Sequence, residues 1–129
     1  MDPDLVAYIK AVADADRPTE ARAAAGREAA ERLGCFGCHG PQGRGNLHNP
    51  RSLRGYIPSW DGPDLPELAR DDAEIAEWIL DGRPRRLQSD RLARFFMDRQ
   101  VIQMPAYRGR IFPDDVERIV QYIRWQRRQ

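Results

Sequence analysis

The chain has 129 residues, 41% of them hydrophobic and 32% charged, a balance that suits one globular domain and is too short for two ordinary ones. A formal net charge of +1 gives no global basic field for nucleic acid, and no apolar run is long enough to span a bilayer. Of the 21 basic residues only Lys10 is not Arg, a bias that base composition can produce and that carries no functional reading.

The opening "MDPDLVAYIK" has neither a basic start nor a long apolar stretch, so it does not read as a leader peptide. Leu5, Val6, Ile9 and Val12 recur at helical spacing and predict a short helix within residues 2–15. "DADRP" ends it, because Pro18 disfavours helical backbone at Arg17. Residues 1–18 are therefore expected to be an N-terminal extension, with the domain proper at 19–129. Thr19 is expected to cap a second helix, "EARAAAGREAAERL", reaching about Leu33. Its inner face is mostly Ala and Gly, small enough to let another helix approach closely.

Residues 34–66 are rich in Gly, Pro, Asn and Ser and read as loop. So long a loop is unusual in a compact domain and suggests a segment wrapped around something other than protein. "DDAEIAEWILDG" predicts a capped helix: Asp71 and Glu74 stand at capping spacing, Ile75, Trp78 and Ile79 make the apolar face, and Gly82 ends it. A further helix is expected from about Asp90 to Val101 with Leu92, Phe95 and Phe96 inward. "QMPAYRGRIF" is again irregular. "PDDVERIVQYIRWQRR" opens with Pro and two acids and ends with Arg, as the helix dipole prefers, and Val116, Ile119, Val120 and Ile123 form its stripe. No segment alternates as a strand does, so the expected fold class is all-α.

"GCFGCHGPQGRG", residues 34–45, holds both cysteines of the chain and one of its two histidines. Cys35, Cys38 and His39 form C-x-x-C-H, the signature of covalent haem attachment. Two thiols three positions apart can add to the two vinyl groups of one haem, and the adjacent imidazole then falls beneath the iron. Three rival readings exist. The cysteines can be structural beside an ordinary histidine. A thioredoxin-like C-x-x-C expects a preceding strand and a βαβ setting, neither of which is present. A zinc site wants four ligands, and the only further Cys or His is His48.

Other features stand in order around the motif. "GREAAERLGCFGCHG" places Gly26, Ala30 and the Gly34–Cys35 pair ahead of it, "GPQGRGN" follows, Met104-Pro105 comes some sixty residues later in "QMPAY", and Tyr122 and Trp125 lie near the end of the last helix. In these features, over residues 19–128, the chain resembles the class I monohaem cytochromes c. The resemblance implies a small helical domain wrapped around one haem c, attached through Cys35 and Cys38, with His39 and Met104 as axial ligands. Met97, inside a predicted helix, is then a core residue. His48 is a competing ligand, but it lies only nine residues after His39 and would need a sharp wrap to reach the opposite face, so its default reading is a surface loop residue. The Asn49-Pro50 offset implies that the Pro50 carbonyl receives the other N–H of His39. Tyr56, Trp60, Arg51 and Arg54 stand where the family often hydrogen-bonds the haem propionates. Leu53, Leu65, Trp78, Phe95 and Phe96 are candidates for the apolar surround, and the helix near Gly26 is expected to cross the last helix near Val120 and Ile123.

The function implied is one-electron transfer between Fe(III) and Fe(II) by a carrier rather than an enzyme, free or as a subunit or domain of a larger redox complex. Its partners would be a redox donor and acceptor docking transiently at the haem edge. The alternative, if Met104 does not bind, is a five-coordinate haem sensor or peroxidase-like enzyme, for which the same loop offers Arg108 and Arg110 but no histidine. Bacterial c-type haem is attached after export, so a periplasmic or otherwise exported location is expected, with the leader removed or replaced. Both cysteines are then consumed by haem. Residues 1–18 and the Pro-rich stretch 56–72 are additions to the simplest family pattern.

Overall fold

The computed structural model describes residues 3–5 and 18–129, and every regular element in them is helical. The only strand-like pairing among the described residues is an isolated antiparallel bridge between His48 and Tyr56. Residues 3–5 are helical; Val6, Ile9 and Val12 of the expected first helix lie outside the described residues.

Helix α1 spans Ala21–Arg32. Its N-cap is Glu20, in extended backbone and without a side-chain cap bond, so Thr19 does not serve as the cap. The buried face is Ala23, Gly26, Ala29 and Ala30, and it packs on the last helix, α7, Pro113–Arg127. A Cβ placed on Gly26 would lie 1.9 Å from the Arg118 carbonyl oxygen and 2.9 Å from Tyr122 Cβ. The expected pair of helices does cross near Val120, with Gly26 seated against Arg118 and Tyr122 on either side of it. Ile123 and Ile119 are turned instead to line a cavity. Asp115 on α7 accepts from Arg32 at 2.8 Å and from Arg118 at 3.2 Å, joining the two helices at their polar margin.

Between them run α2 (Phe36–His39), a 3-10 turn (Pro41–Gly43), α3 (Leu65–Leu68), α4 (Asp72–Asp81), α5 (Arg85–Gln88) and α6 (Arg91–Arg99). The cap of α4 is as expected: Asp71 accepts from the Glu74 N–H at 2.9 Å, and Gly82 ends the helix with φ of 76°. Glu74 also takes a two-pronged bond from Arg86, at 2.9 and 3.0 Å, and the Arg70 N–H at 2.8 Å. The Arg86 guanidinium, more than any other group, holds the Glu74 carboxyl below the usual range. A carboxylate held down in the folded state stabilises above its unfolded pKa and loses that contribution as pH falls. Glu74→Gln is therefore expected to destabilise the holo-protein by about 1–2 kcal/mol near pH 7. Urea unfolding should show the gap to wild type narrowing below about pH 4.3.

Helix α6 is rotated from the expected orientation. Met97 is 7% exposed, as a core residue should be, whereas Leu92 and Phe95 are 62% and 48% exposed. Arg83 fixes this rotation by reaching the Met97 carbonyl at 2.9 Å and Asp98 at 2.5 Å. Arg99 then lies 3.7 Å over the outward Phe95 ring, a cation–π contact that partly covers it. Elsewhere the core gathers Ile75 and Ile79 of α4 with Ile119, Tyr122, Ile123 and Trp125 of α7. It surrounds the inner side of the cavity rather than closing on itself.

Candidate cofactor site

The end of α1 runs directly into the cysteine segment. The Cys35 N–H bonds to the Ala30 carbonyl at 3.0 Å and the His39 N–H to the Cys35 carbonyl at 3.1 Å, so C-x-x-C-H is wound as one helical turn. Positions i, i+3 and i+4 share a helix face, which brings Cys35, Cys38 and His39 to one side. All three line a single cavity of about 220 Å³. Most of its walls are apolar, among them Ile57, Leu65, Ile75, Trp78, Ile79 and Ile119. Met104 lines the same cavity from the loop after α6.

Each sulfur and nitrogen is chemically available. Both cysteines are free thiols, and burial pushes the Cys35 thiol up, which keeps it protonated. Burial lowers the His39 imidazole to about 4, so it is neutral at pH 7. Its Nδ1 is buried with no hydrogen-bond partner among the described residues. The Trp60 ring stands behind it, 5.2 Å between centroids. Trp60 is seated closely on the backbone of Gly43, where a Cβ would come within 2.3 Å of the indole, and its carbonyl accepts from Arg127 at 3.0 Å. Two thiols, a neutral imidazole whose Nδ1 has no partner among the described residues, and a thioether around one apolar cavity fit a covalently bound haem.

The Met104 loop rests on the C-terminal end of α4. The Tyr107 N–H bonds to the Ile79 carbonyl at 3.1 Å and the Arg108 N–H to the Leu80 carbonyl at 2.9 Å. Tyr107 also donates its hydroxyl to the Leu33 carbonyl at 3.1 Å, tying this loop to the end of α1. A Cβ on Gly82 would meet the Met104 carbonyl oxygen at 2.8 Å, so α4 ends where the loop needs room.

Several expected partners lie elsewhere. Pro50 is exposed and off the cavity, and its carbonyl accepts the Val101 N–H at 3.0 Å rather than a bond from His39. The neighbouring segment 101–102 offers the nearer donor. Tyr56 and Arg54 do line the cavity, but the Tyr56 hydroxyl donates to Asp64 at 2.7 Å and Arg54 pairs with Asp64 at 3.1 Å and with Glu67. The carboxylates at α3 take the donors that were expected to face an anion of the cofactor. Trp60 is in the wall, packed on His39, Phe36 and Tyr122. Leu53, Leu65 and Trp78 line the cavity; Phe95, Phe96, Arg51, His48, Met97, Arg108 and Arg110 do not. Arg108 is paired with Asp81 at 2.7 and 2.8 Å. Sequence reasoning missed Tyr107 and Asn49, whose only signal was a polar residue beside a matched motif.

The rival chemistries lose their footing in this setting. Among the described residues no strand precedes the cysteines, and no group of three or more His, Cys, Asp or Glu gathers as a metal site. What is left is the small helical scaffold of a c-type cytochrome domain, a haem-binding unit of electron transport. Residues 21–123 match the family model described as cytochrome c oxidase, cbb3-type, subunit III, and the chain belongs to that family. Neither the curated proteins nor the solved structures returned a match. No described helix is long and apolar enough to cross a membrane.

Proposed function

We propose that residues 19–129 form a one-electron carrier that would hold a single haem through Cys35 and Cys38, with His39 and Met104 as the side chains that would bind its iron. The observation that carries this reading is that all four side chains line one cavity. Bound there, the haem supplies the Fe(III)/Fe(II) couple, and the protein supplies ligands, dielectric and access. His39 is neutral and offers a ring nitrogen without first losing a proton. The Met104 thioether is an uncharged ligand that favours the ferrous state and raises the potential. Ile75, Ile79, Ile119 and Ile123 exclude water from the same side, which further disfavours the more highly charged oxidised state.

Were His39 and Met104 both to hold the iron, no position on it would be left for a substrate, and the chain would act as a carrier. No second histidine lines the cavity, and Arg108 and Arg110 lie off it, so no observation favours a sensor or peroxidase. The family is described as an oxidase subunit. By that kinship the chain passes electrons between redox proteins within or alongside such a complex, in an exported location where c-type haem is attached.

Visible spectra of the oxidised and reduced holo-protein and of Met104→Ala test the ligand set. Wild type should be low-spin with a sulfur-to-iron charge-transfer band, and Met104→Ala should lose that band and shift toward high spin. A spectrum that the substitution leaves unchanged would remove Met104 from the iron.

A further inference from the structure

We infer that Asn49 is the positioning residue for Met104, acting through the backbone of Ile102; the inference rests on the proposed role of Met104 as a ligand. Asn49 is only 2% exposed, and both ends of its amide are used by one residue. Its Nδ2 donates to the Ile102 carbonyl at 3.1 Å, and its Oδ1 accepts the Ile102 N–H at 2.8 Å. The adjoining bond from the Val101 N–H to the Pro50 carbonyl, at 3.0 Å, extends the clasp by one residue. A buried amide satisfied in this way resists displacement, because releasing it leaves a donor and an acceptor on each side without partners.

The placement of the clasp matters more than its strength. Asn49 belongs to the loop that follows His39, and that loop is itself closed by bonds from the Asn49 N–H to the Gly55 carbonyl at 2.8 Å and from the Ile57 N–H to the Leu47 carbonyl at 2.8 Å. Ile102 stands two residues before Met104. On the other side of Met104 the chain is held at Tyr107 and Arg108 by α4. Met104 therefore sits on a short span fastened at both ends. Before it, Asn49 holds the backbone of Ile102, and the Gln103 side chain donates to the Met97 and Gln100 carbonyls at 2.8 Å each; of the two, Asn49 alone ties the span to the loop that follows His39. A short, fastened span keeps the thioether at high effective concentration at its place in the cavity. Releasing Ile102 leaves the Gln103 side chain as the fastening before Met104, which loosens the span and lowers that concentration.

Competition with an added ligand measures this directly. Imidazole titrated into the ferric holo-protein must displace the Met104 thioether, so its apparent affinity reports how firmly the thioether is held. Asn49→Leu, which fills the space but bonds to neither group of Ile102, is expected to tighten imidazole binding about tenfold. Asn49→Ser, too short to reach Ile102, should act in the same direction and serves if the leucine variant does not mature. Ser52→Ala is the control for loop loosening alone: it removes the bonds of the Ser52 hydroxyl to the Asn49 carbonyl and from the Gly55 N–H without touching Ile102. It should leave imidazole affinity unchanged. Met104→Ala, measured in parallel, should bind imidazole more tightly than any of them. If Met104→Ala does so while both Asn49 variants behave as wild type, the positioning role is wrong. Equal tightening by Ser52→Ala would also overturn it, by showing a general effect of loop stability. If Met104→Ala itself changes nothing, the ligand assignment falls first and this inference with it.

Discussion

Gly26→Ala is expected to cost the protein about 3 kcal/mol or more, and Gly26→Leu to prevent folding altogether. Helix propensity alone predicts the reverse, since alanine inside a helix is favoured over glycine by about 1 kcal/mol. The crossing decides the sign. A Cβ at this position would stand 1.9 Å from the Arg118 carbonyl oxygen, well inside any contact distance, and 2.5 Å from its carbon. Those are backbone atoms in the middle of a 15-residue helix and cannot swing aside as a side-chain end would. To admit the methyl group α1 must lift from α7, which uncovers Ala23, Ala30 and Tyr122, all fully buried now. With a typical total stability of about 5–15 kcal/mol, the alanine variant should remain folded at low temperature and the leucine variant should not. Thermal unfolding followed by circular dichroism checks this. An alanine variant as stable as wild type would mean that the helices are not in this close contact.

The double variant Cys35→Ser/Cys38→Ser is expected to emerge without covalent haem and to lose most of its helical circular dichroism. The reason is the size and lining of the cavity. Without the cofactor, the apolar walls of a cavity of about 220 Å³ face water instead of a large apolar group, and the burial that would hold them together is lost. The residues around the cavity, Ile75, Ile79, Ile119 and Ile123, are the same ones that join α4 to α7, so the two helices share their main apolar surface with the cofactor. Wild-type chain made without haem attachment should behave like the double variant. Helical content at the native level in either haem-free chain would show that the protein core holds without the cofactor.

The two expectations differ in how visible they are in the sequence. The helix pair was legible because Ala23, Gly26, Ala29 and Ala30 repeat at helical spacing, and the stripe of α7 does the same. The crossing point beside Val120 was legible as well, but Ile123 lines the cavity. A stripe of apolar residues says that a face is buried but not whether it is buried by a helix or by a cavity. The cysteine turn was legible as chemistry and not as structure. Four residues, Phe36–His39, are too few to show a period, yet they are wound by the bonds of the His39 N–H to the Cys35 carbonyl and the Gly40 N–H to the Phe36 carbonyl.

What the sequence by itself determined is local. It specified the all-α class, the cap at Asp71, the stop at Gly82, the start of α7 at Pro113, and the spacing that sets two sulfurs and an imidazole on one face. Each depends on residues within a turn or two of one another. Only the tertiary structure decided the competitions. Arg83 turned Met97 inward and Phe95 outward. Asp64 and Glu67 took the donors of Tyr56 and Arg54. The Val101 N–H occupied the Pro50 carbonyl, leaving Nδ1 of His39 without a partner. In each case a polar group bonded to a partner beyond its own turn of chain, from Tyr56 with Asp64 to Pro50 with Val101, and such a pairing is set by how the loops and helices fold back on one another rather than by local spacing.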